Sequence, residues 1–325
     1  MLFLSEDHVR ALLDVREVVE RVEETFRIKP ECEMPPKVIV PLEGGDFRAM
    51  PAYLPELGVA GVKIVNSHPG NPDRGLPTVM AVMCLIEPET GRPLCLVSAT
   101  EITSLRTGAA GAVASKYLAE DVRIIGIVGA GVQGRYQLLT HAEVFDLEAV
   151  FVYDKACKVA RRLAEWAERD LGVDAEVLDD TDFSKLNVDV VCTCTPATEP
   201  YLGPEDVPED VHVNAIGSDA PEKQEVKTEL LKRAVVVVDD REQCVESGDV
   251  SQPVERNELN PEELVELSDV VRGEIMVDPS ELTVFDSTGI AILDVAVGAL
   301  AYERAEKAGM GVEIKPFELS TGNFK

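Results

Sequence analysis

The sequence is short of positive charge. It holds 31 Lys and Arg against 60 Asp and Glu, for a net charge of −29. Nucleic acid and anionic membrane demand a basic surface, so both are excluded as expected partners. The deficit is uneven. Residues 1–118 carry 12 basic and 16 acidic residues, and the remainder carries 19 and 44. The first third therefore repels a small anion least. No apolar run approaches 18 residues, so no spanning helix is expected. The start, MLFLSEDHVR, has no basic region ahead of its four apolar residues, and no signal peptide is expected. Seven cysteines occur without a CxxC pair or zinc-type spacing, several inside runs such as AVMCLI and VVCTCT. There they act as small hydrophobes, so neither a metal nor a disulfide framework is expected. What remains is the composition of a reduced, cytoplasmic, globular protein: 45% hydrophobic and 28% charged over 325 residues, enough for two domains.

Two blocks differ in pattern. In the first, Ser5 caps a short helix, and Asp14 with Glu17 resembles a capping box before a helix to about Ile28. The segments 37–42, 47–54, 59–66, 78–87 and 93–100 are rich in β-branched residues and separated by Gly, Pro and Asn. Short connections make them an antiparallel sheet. A Gly/Ala-rich helix from about Glu101 to Leu118 follows. In the second block, the short apolar runs at 123–128, 149–154, 175–178, 188–195, 212–218, 234–240 and 282–287 alternate with helical or loop segments. That pattern indicates a parallel sheet covered on both faces. The stretch ERNELNPEELVEL reads as an exposed helix starting at Pro261, and Asp239 and Asp240 read as strand-end residues facing solvent. A last helix spans about Ile290 to Ala308. It is expected to return to the first sheet.

The strand RIIGIV runs into GAGVQG, which is Gly129-x-Gly131-x-x-Gly134. Gly129 permits the tight turn, Gly131 lets backbone approach a pyrophosphate, and Gly134 brings helix close to strand. Val132 and Gln133 lie within the turn. The second strand ends at Asp154, 20 residues after Gly134, where a carboxylate accepts from ribose hydroxyls and disfavours a 2′-phosphate. NAD is therefore the expected cofactor, although the adjacent Lys155 works against that preference. Outside this motif, Lys37, Arg48 and Lys63 sit on apolar strands, and Arg106 opens SLRTGAAG. From spacing alone each is better explained by an exposed strand face than by a cleft. His68 lies in the NSHPGN turn and reads as loop-shaping; His8, His141 and His212 read as structural.

The segments MPPKV, GDFRAMPAYL, GVKIVNSHPGNPDRGLPTVMA, SLRTGAAGAVASKYLA, IVGAGVQG, NAIGSDAPEKQE and VFDSTGIAILDVAV together resemble the ornithine cyclodeaminase/mu-crystallin family, most of all its archaeal-type alanine dehydrogenases. The resemblance runs from about Met34 to Gly298. It implies an α/β fold: a Rossmann dinucleotide-binding domain over 120–289, and a second α+β substrate-binding and dimerisation domain from 1–119 and 290–325. It implies a homodimer. It makes Lys63 an active-site lysine and Asp219 a catalytic aspartate. Arg106 corresponds to the family's carboxylate-binding arginine, with Lys37, Arg48 and Thr288 expected at the substrate. Thr78, Gln133, Asp154, Thr195, Lys223 and Ser287 match positions around the cofactor. Ornithine cyclodeaminases carry a glutamate at the position of Arg48, and an arginine there repels a distal ammonium. The implied reaction is reversible oxidative deamination of L-alanine, or another small L-amino acid, to pyruvate or its 2-oxo acid counterpart, with ammonia and NADH. In that scheme cationic neighbours lower the pKa of Lys63. Ornithine cyclodeaminase or cyclic-imine reductase activity is the alternative, and a non-enzymatic crystallin-like binding role the second.

Overall fold

The computed structural model describes residues 1–315, which form two units, each with its own sheet. The first unit comprises Met1–Leu13, Glu31–Thr103 and the chain from Asp294 onward; the second comprises Asp14–Pro30 and Ser104–Leu293. The sequence expectation cut the chain at 119/120 and 289/290. The structural cuts fall earlier and later, and residues 14–30 join the second unit. One reason is visible on the helix that follows the first sheet: Ser115 and the carbonyl of Thr107 bond to Asn214 and Gln137 of the second unit. The tail at 316–325, assigned to the substrate domain from sequence, lies outside the described residues.

In chain order the elements begin with β1 (Leu2–Leu4), α1 (Glu6–Leu12), α2 (Val15–Ile28), β2 (Val38–Leu42), β3 (Gly45–Leu54), β4 (Val59–Ser67), β5 (Val79–Ile86), β6 (Pro93–Ser98) and α3 (Thr100–Leu118). Then come β7 (Ile124–Val128), α4 (Val132–Val144), β8 (Ala149–Tyr153), α5 (Cys157–Trp166), β9 (Asp174–Val177), β10 (Val190–Thr193) and β11 (His212–Ala215). The chain continues through α6 (Thr228–Leu231), β12 (Val235–Val238), α7 (Arg241–Ser247), α8 (Ser251–Glu255), β13 (Val265–Glu266), α9 (Leu267–Val271), β14 (Thr283–Asp286), α10 (Ala291–Ala308) and β15 (Val312–Glu313). No helix among the described residues is long and apolar enough to cross a membrane.

The first unit's sheet has the order β15-β1-β6-β5-β4-β3-β2. Strands β2 to β6 form the expected antiparallel meander. The opening LFL is a strand that the sequence reading did not foresee, and it pairs parallel with β6. Three residues carry too little pattern to announce a strand; β6 supplies the template. On β4 burial alternates, with Val59, Gly61, Lys63 and Val65 on the inward face. Helix α10 packs on that face. A Cβ on Gly61 would lie 3.3 Å from Val295, and one on Gly298 would collide with the Met83 methyl.

The second unit's sheet has the order β13-β12-β14-β11-β10-β7-β8-β9, and every neighbouring pair is parallel. Its central strands β7, β10, β11 and β14 are buried on both faces, as the continuous Val/Ile runs required. One apolar cluster forms around Val191, Val213, Phe183 and Val284, another around Ile125, Ile127, Leu138 and Val152. Strand order reverses between β7 and β10, and a crevice opens at such a point beyond the strand carboxyl ends. The stretch read as a helix from Pro261 is instead a single 3-10 turn, Pro261–Glu263, then β13 and α9. Glu266 explains the break: its carboxylate accepts from the Arg241 N–H and from Lys29 Nζ, which keeps it in an extended strand.

Candidate active site

In the second unit, the glycine turn leaves β7 at the reversal point. Gly129 has φ +93°, and a Cβ there would lie 2.7 Å from the Cys194 carbonyl oxygen. Only glycine fits both demands. A Cβ on Gly134 would overlap the Gly129 carbonyl oxygen, so the start of α4 sits hard against the turn. Gly131 is the N-cap of α4, has no side-chain cap and faces open space. The first N–H groups of α4 are thus left to a ligand or to water, and the helix dipole favours an anion there. Val132 is exposed beside them. Gln133 Oε1 is a buried acceptor with no hydrogen-bond partner in the structure. Asp154 closes the turn: Oδ2 accepts from the Ala130 N–H at 2.9 Å and Oδ1 from the Ala156 N–H at 2.8 Å. A carboxylate accepts about four bonds, so capacity remains for ribose hydroxyls. The open helix start, the orphaned Gln133 oxygen and the acid at the second strand fit a dinucleotide without a 2′-phosphate.

Thr195 follows β10. Its N–H and Oγ1 both donate to Glu225 Oε1 at 2.6 Å. Asp219 and Lys223 lie on one loop after β11 and pair at 2.6 Å, both partly exposed. Ser287, Thr288 and Gly289 follow β14. Ser287 Oγ, Thr288 Oγ1 and the Gly289 N–H all donate to Asp239, which is fully buried. The sequence reading of Asp239 as a solvent-facing residue is therefore wrong. Its strand ends beside β14, whose following loop supplies three donors. Asp240 caps α7 through the Gln243 N–H. Arg106, buried on α3, lies along Gly289: a Cβ on that glycine, at φ +77°, would be 2.6 Å from Nη1. Arg106 and Thr288 are thus brought together, with Asp239 behind Thr288.

In the first unit, Lys63 is only 1% exposed, and its Nζ lies 2.7 Å from Asp294 in the first turn of α10. It is not a surface lysine. The side chain placed beside it is an acid, a neighbour the sequence expectation did not include. Asp294 was missed because ILDVAV reads as one apolar helix with an incidental acid. Its only signal was an Asp on an otherwise apolar stretch. Arg48 is opposite Val65, one diagonal step from Lys63 on the same face, since Met50 is opposite Lys63. Its guanidinium grips Asp46 at 2.9 and 3.2 Å. Lys37 immediately precedes β2 and is half-buried. Thr78, half-buried before β5, uses its carbonyl to accept the His68 N–H and close a turn; His68 also accepts from the Asn71 N–H. Among the described residues no cluster of His, Cys, Asp or Glu could hold a metal ion.

Fold and site define an α/β chain in which a Rossmann-type domain is joined to a second sheet domain bearing a buried lysine. The chain belongs to the ornithine cyclodeaminase/mu-crystallin family, whose model matches residues 1–309. It is 44% identical to the alanine dehydrogenase of Archaeoglobus fulgidus, over 98% of this chain and 99% of that one. Among solved structures, an archaeal alanine dehydrogenase dimer with bound NAD superposes with a TM-score of 0.93 at 44% identity, covering 98% and 99% of the two chains. The Thermococcus litoralis Delta(1)-pyrroline-2-carboxylate reductase, solved with NADH and L-proline, gives 0.92 at 34% identity, covering 97% and 100%.

Proposed function

We propose that this protein is an NAD-dependent oxidoreductase that deaminates a small L-amino acid, L-alanine foremost, to its 2-oxo acid and ammonia. One observation carries the nucleotide half of this reading: a glycine turn at the sheet's reversal point, closed by Asp154 and opening on uncapped N–H groups of α4. The cofactor supplies a two-electron acceptor when bound. The turn and α4 would hold its pyrophosphate, Asp154 its adenine ribose, and Gln133, Thr195, Lys223, Ser287 and Thr78 the rest.

Arg106 would take the substrate carboxylate, with Lys37, Arg48 and Thr288 in support. A guanidinium fork fixes a carboxylate in two bonds, and so fixes the carbon beside it. Asp219 would accept a proton from the attacking water. Asp219 would then return that proton to the departing amine, while Lys63, paired with Asp294, would hydrogen-bond the carbinol oxygen as it gives up its last proton to become the oxo group. The overall balance is amino acid, water and NAD⁺ to 2-oxo acid, ammonia, NADH and a proton. Arg48 favours a carboxylate over a distal ammonium, and the relative with 44% identity is an alanine dehydrogenase. A second reading, reduction of a cyclic imine, is favoured by the likeness to the reductase solved with L-proline.

The test is a rate panel: NADH formation with L-alanine and other small L-amino acids, NADH consumption with pyruvate plus ammonia and with Δ1-pyrroline-2-carboxylate, and proline formation from L-ornithine. Faster turnover of the cyclic imine would replace the alanine reading. Activity in none of these arms would leave only the binding role. A homodimer is part of the proposal. Val38, Ala49, Ile64 and Val82 stand in register across four strands on the outward sheet face, and Val38, Ile64 and Val82 are exposed. Such an apolar row marks an interface.

A further inference from the structure

Glu225 belongs to no role discussed so far, yet it is fully buried at the carboxyl end of the second unit's sheet. Five donors converge on its carboxylate. Oε1 accepts from the Thr195 N–H and Oγ1 at 2.6 Å and from Tyr201 Oη at 2.9 Å. Oε2 accepts from Thr193 Oγ1 at 2.9 Å and from the Gly217 N–H at 2.7 Å. Each oxygen receives one backbone N–H, a group that can only donate, so both oxygens are held as acceptors. Burial pushes its pKa upward, and the hydroxyl and amide donors oppose that rise.

Its partners lie on the two loops that matter. Thr195 is anchored directly, and the adjoining Cys194 carbonyl is the atom a Cβ on Gly129 would strike. The Gly217 bond closes the loop from Gly217 to Glu225, which carries Asp219 and Lys223. Contact there is tight: a Cβ on Gly217 would lie 2.5 Å from Glu225 Oε2 and would overlap the Thr195 carbonyl oxygen. Asp249 in turn accepts the backbone N–H groups of Glu225 and Val226.

We propose that Glu225 is a positioning residue for the nucleotide crevice, its buried carboxylate holding the Thr193–Thr195 strand end and the Asp219 loop in one geometry. For Asp219 this rests on the functional reading above; for the nucleotide it rests on the turn alone. The test compares Glu225→Gln and Thr193→Val with wild type, titrating NADH by its fluorescence without amino acid and then measuring kcat and KM. The amide turns one acceptor into a donor facing N–H and O–H groups. Glu225→Gln should raise the NADH Kd at least tenfold and lower kcat at least tenfold, with far-ultraviolet circular dichroism unchanged. Thr193→Val, which deletes one of five donors isosterically, should raise the Kd two- to fourfold. Simple loss of folded protein lowers the amplitude of a titration and leaves its midpoint in place. A folded Glu225→Gln protein with Kd and kcat within twofold of wild type overturns the assignment. If that variant does not fold, an unchanged Kd for Thr193→Val overturns it instead. Wild type that binds NADH but turns over no amino acid refutes the substrate reading and leaves the Kd comparison intact. Wild type that binds no NADH refutes both.

Discussion

Asp249 offers a measurement of what a buried carboxyl costs. It is fully buried, and Oδ1 accepts two backbone N–H groups at 2.7 Å while Oδ2 has no hydrogen-bond partner. Asp249→Asn keeps the accepting oxygen and puts an amide in place of the unpartnered one. Burial first, and the Glu225 charge second, push the Asp249 carboxyl from 3.8 up to about 7. A group whose folded pKa is raised binds its proton more tightly when folded. Wild type therefore loses stability as pH rises from 3.8 to about 7, and the loss is complete above that. At about 1.36 kcal/mol per unit the whole span is worth about 4 kcal/mol, and the part above pH 5 about 3 kcal/mol. Asparagine does not titrate. The stability of Asp249→Asn relative to wild type should thus grow by about 3 kcal/mol between pH 5 and pH 8 and level off above 7. Urea unfolding of both proteins across that range measures it. The single tryptophan, Trp166, lies in the second unit under Arg135 and reports on the same body as Asp249. The difference must be read, because His141 and His212, pushed down to about 4 and about 3 by burial, titrate with the opposite sign in wild type and variant alike. A pH-independent difference refutes the reasoning.

Further outcomes follow from other sites. Asp294→Asn removes the charge facing a buried ammonium and should cost about 3 kcal/mol in denaturant unfolding, whereas Lys63→Met with Asp294→Leu should recover most of it; a single variant as stable as wild type would show the pair to be energetically idle. Gly134→Ala, with its Cβ on the Gly129 carbonyl, should lose about 1–3 kcal/mol and NADH binding together. Gly131→Ala meets open space at φ −74° and should stay within about 0.5 kcal/mol of wild type while weakening NADH. Equal destabilisation by the two alanines would refute the distinct tasks assigned to these glycines. Disrupting the outward row with Ile64→Glu should shift the protein toward monomer in sedimentation, and an unchanged mass would remove that face from the dimer proposal.

Much of this molecule is written locally. The run RIIGIVGAGVQG sets strand, turn and helix within a dozen neighbours, because only glycine tolerates the φ and the close approach that the turn imposes. The Val-rich runs declare a doubly covered parallel sheet, and the β-branched segments with short links declare the meander. What the pattern could not reveal is which distant groups meet. The sequence alone made Lys63 a strand residue of ambiguous face; the packing of α10 on β4 gave it Asp294 and buried both. Asp239 and Glu225 looked like ordinary acids until β14 and β10 brought hydroxyls and amide groups to them. The opening strand, with three residues and no period to read, exists only because β6 offers it an edge. A charge acquires its role from the partner and the solvent it is denied, and both are properties of the folded chain rather than of neighbouring letters.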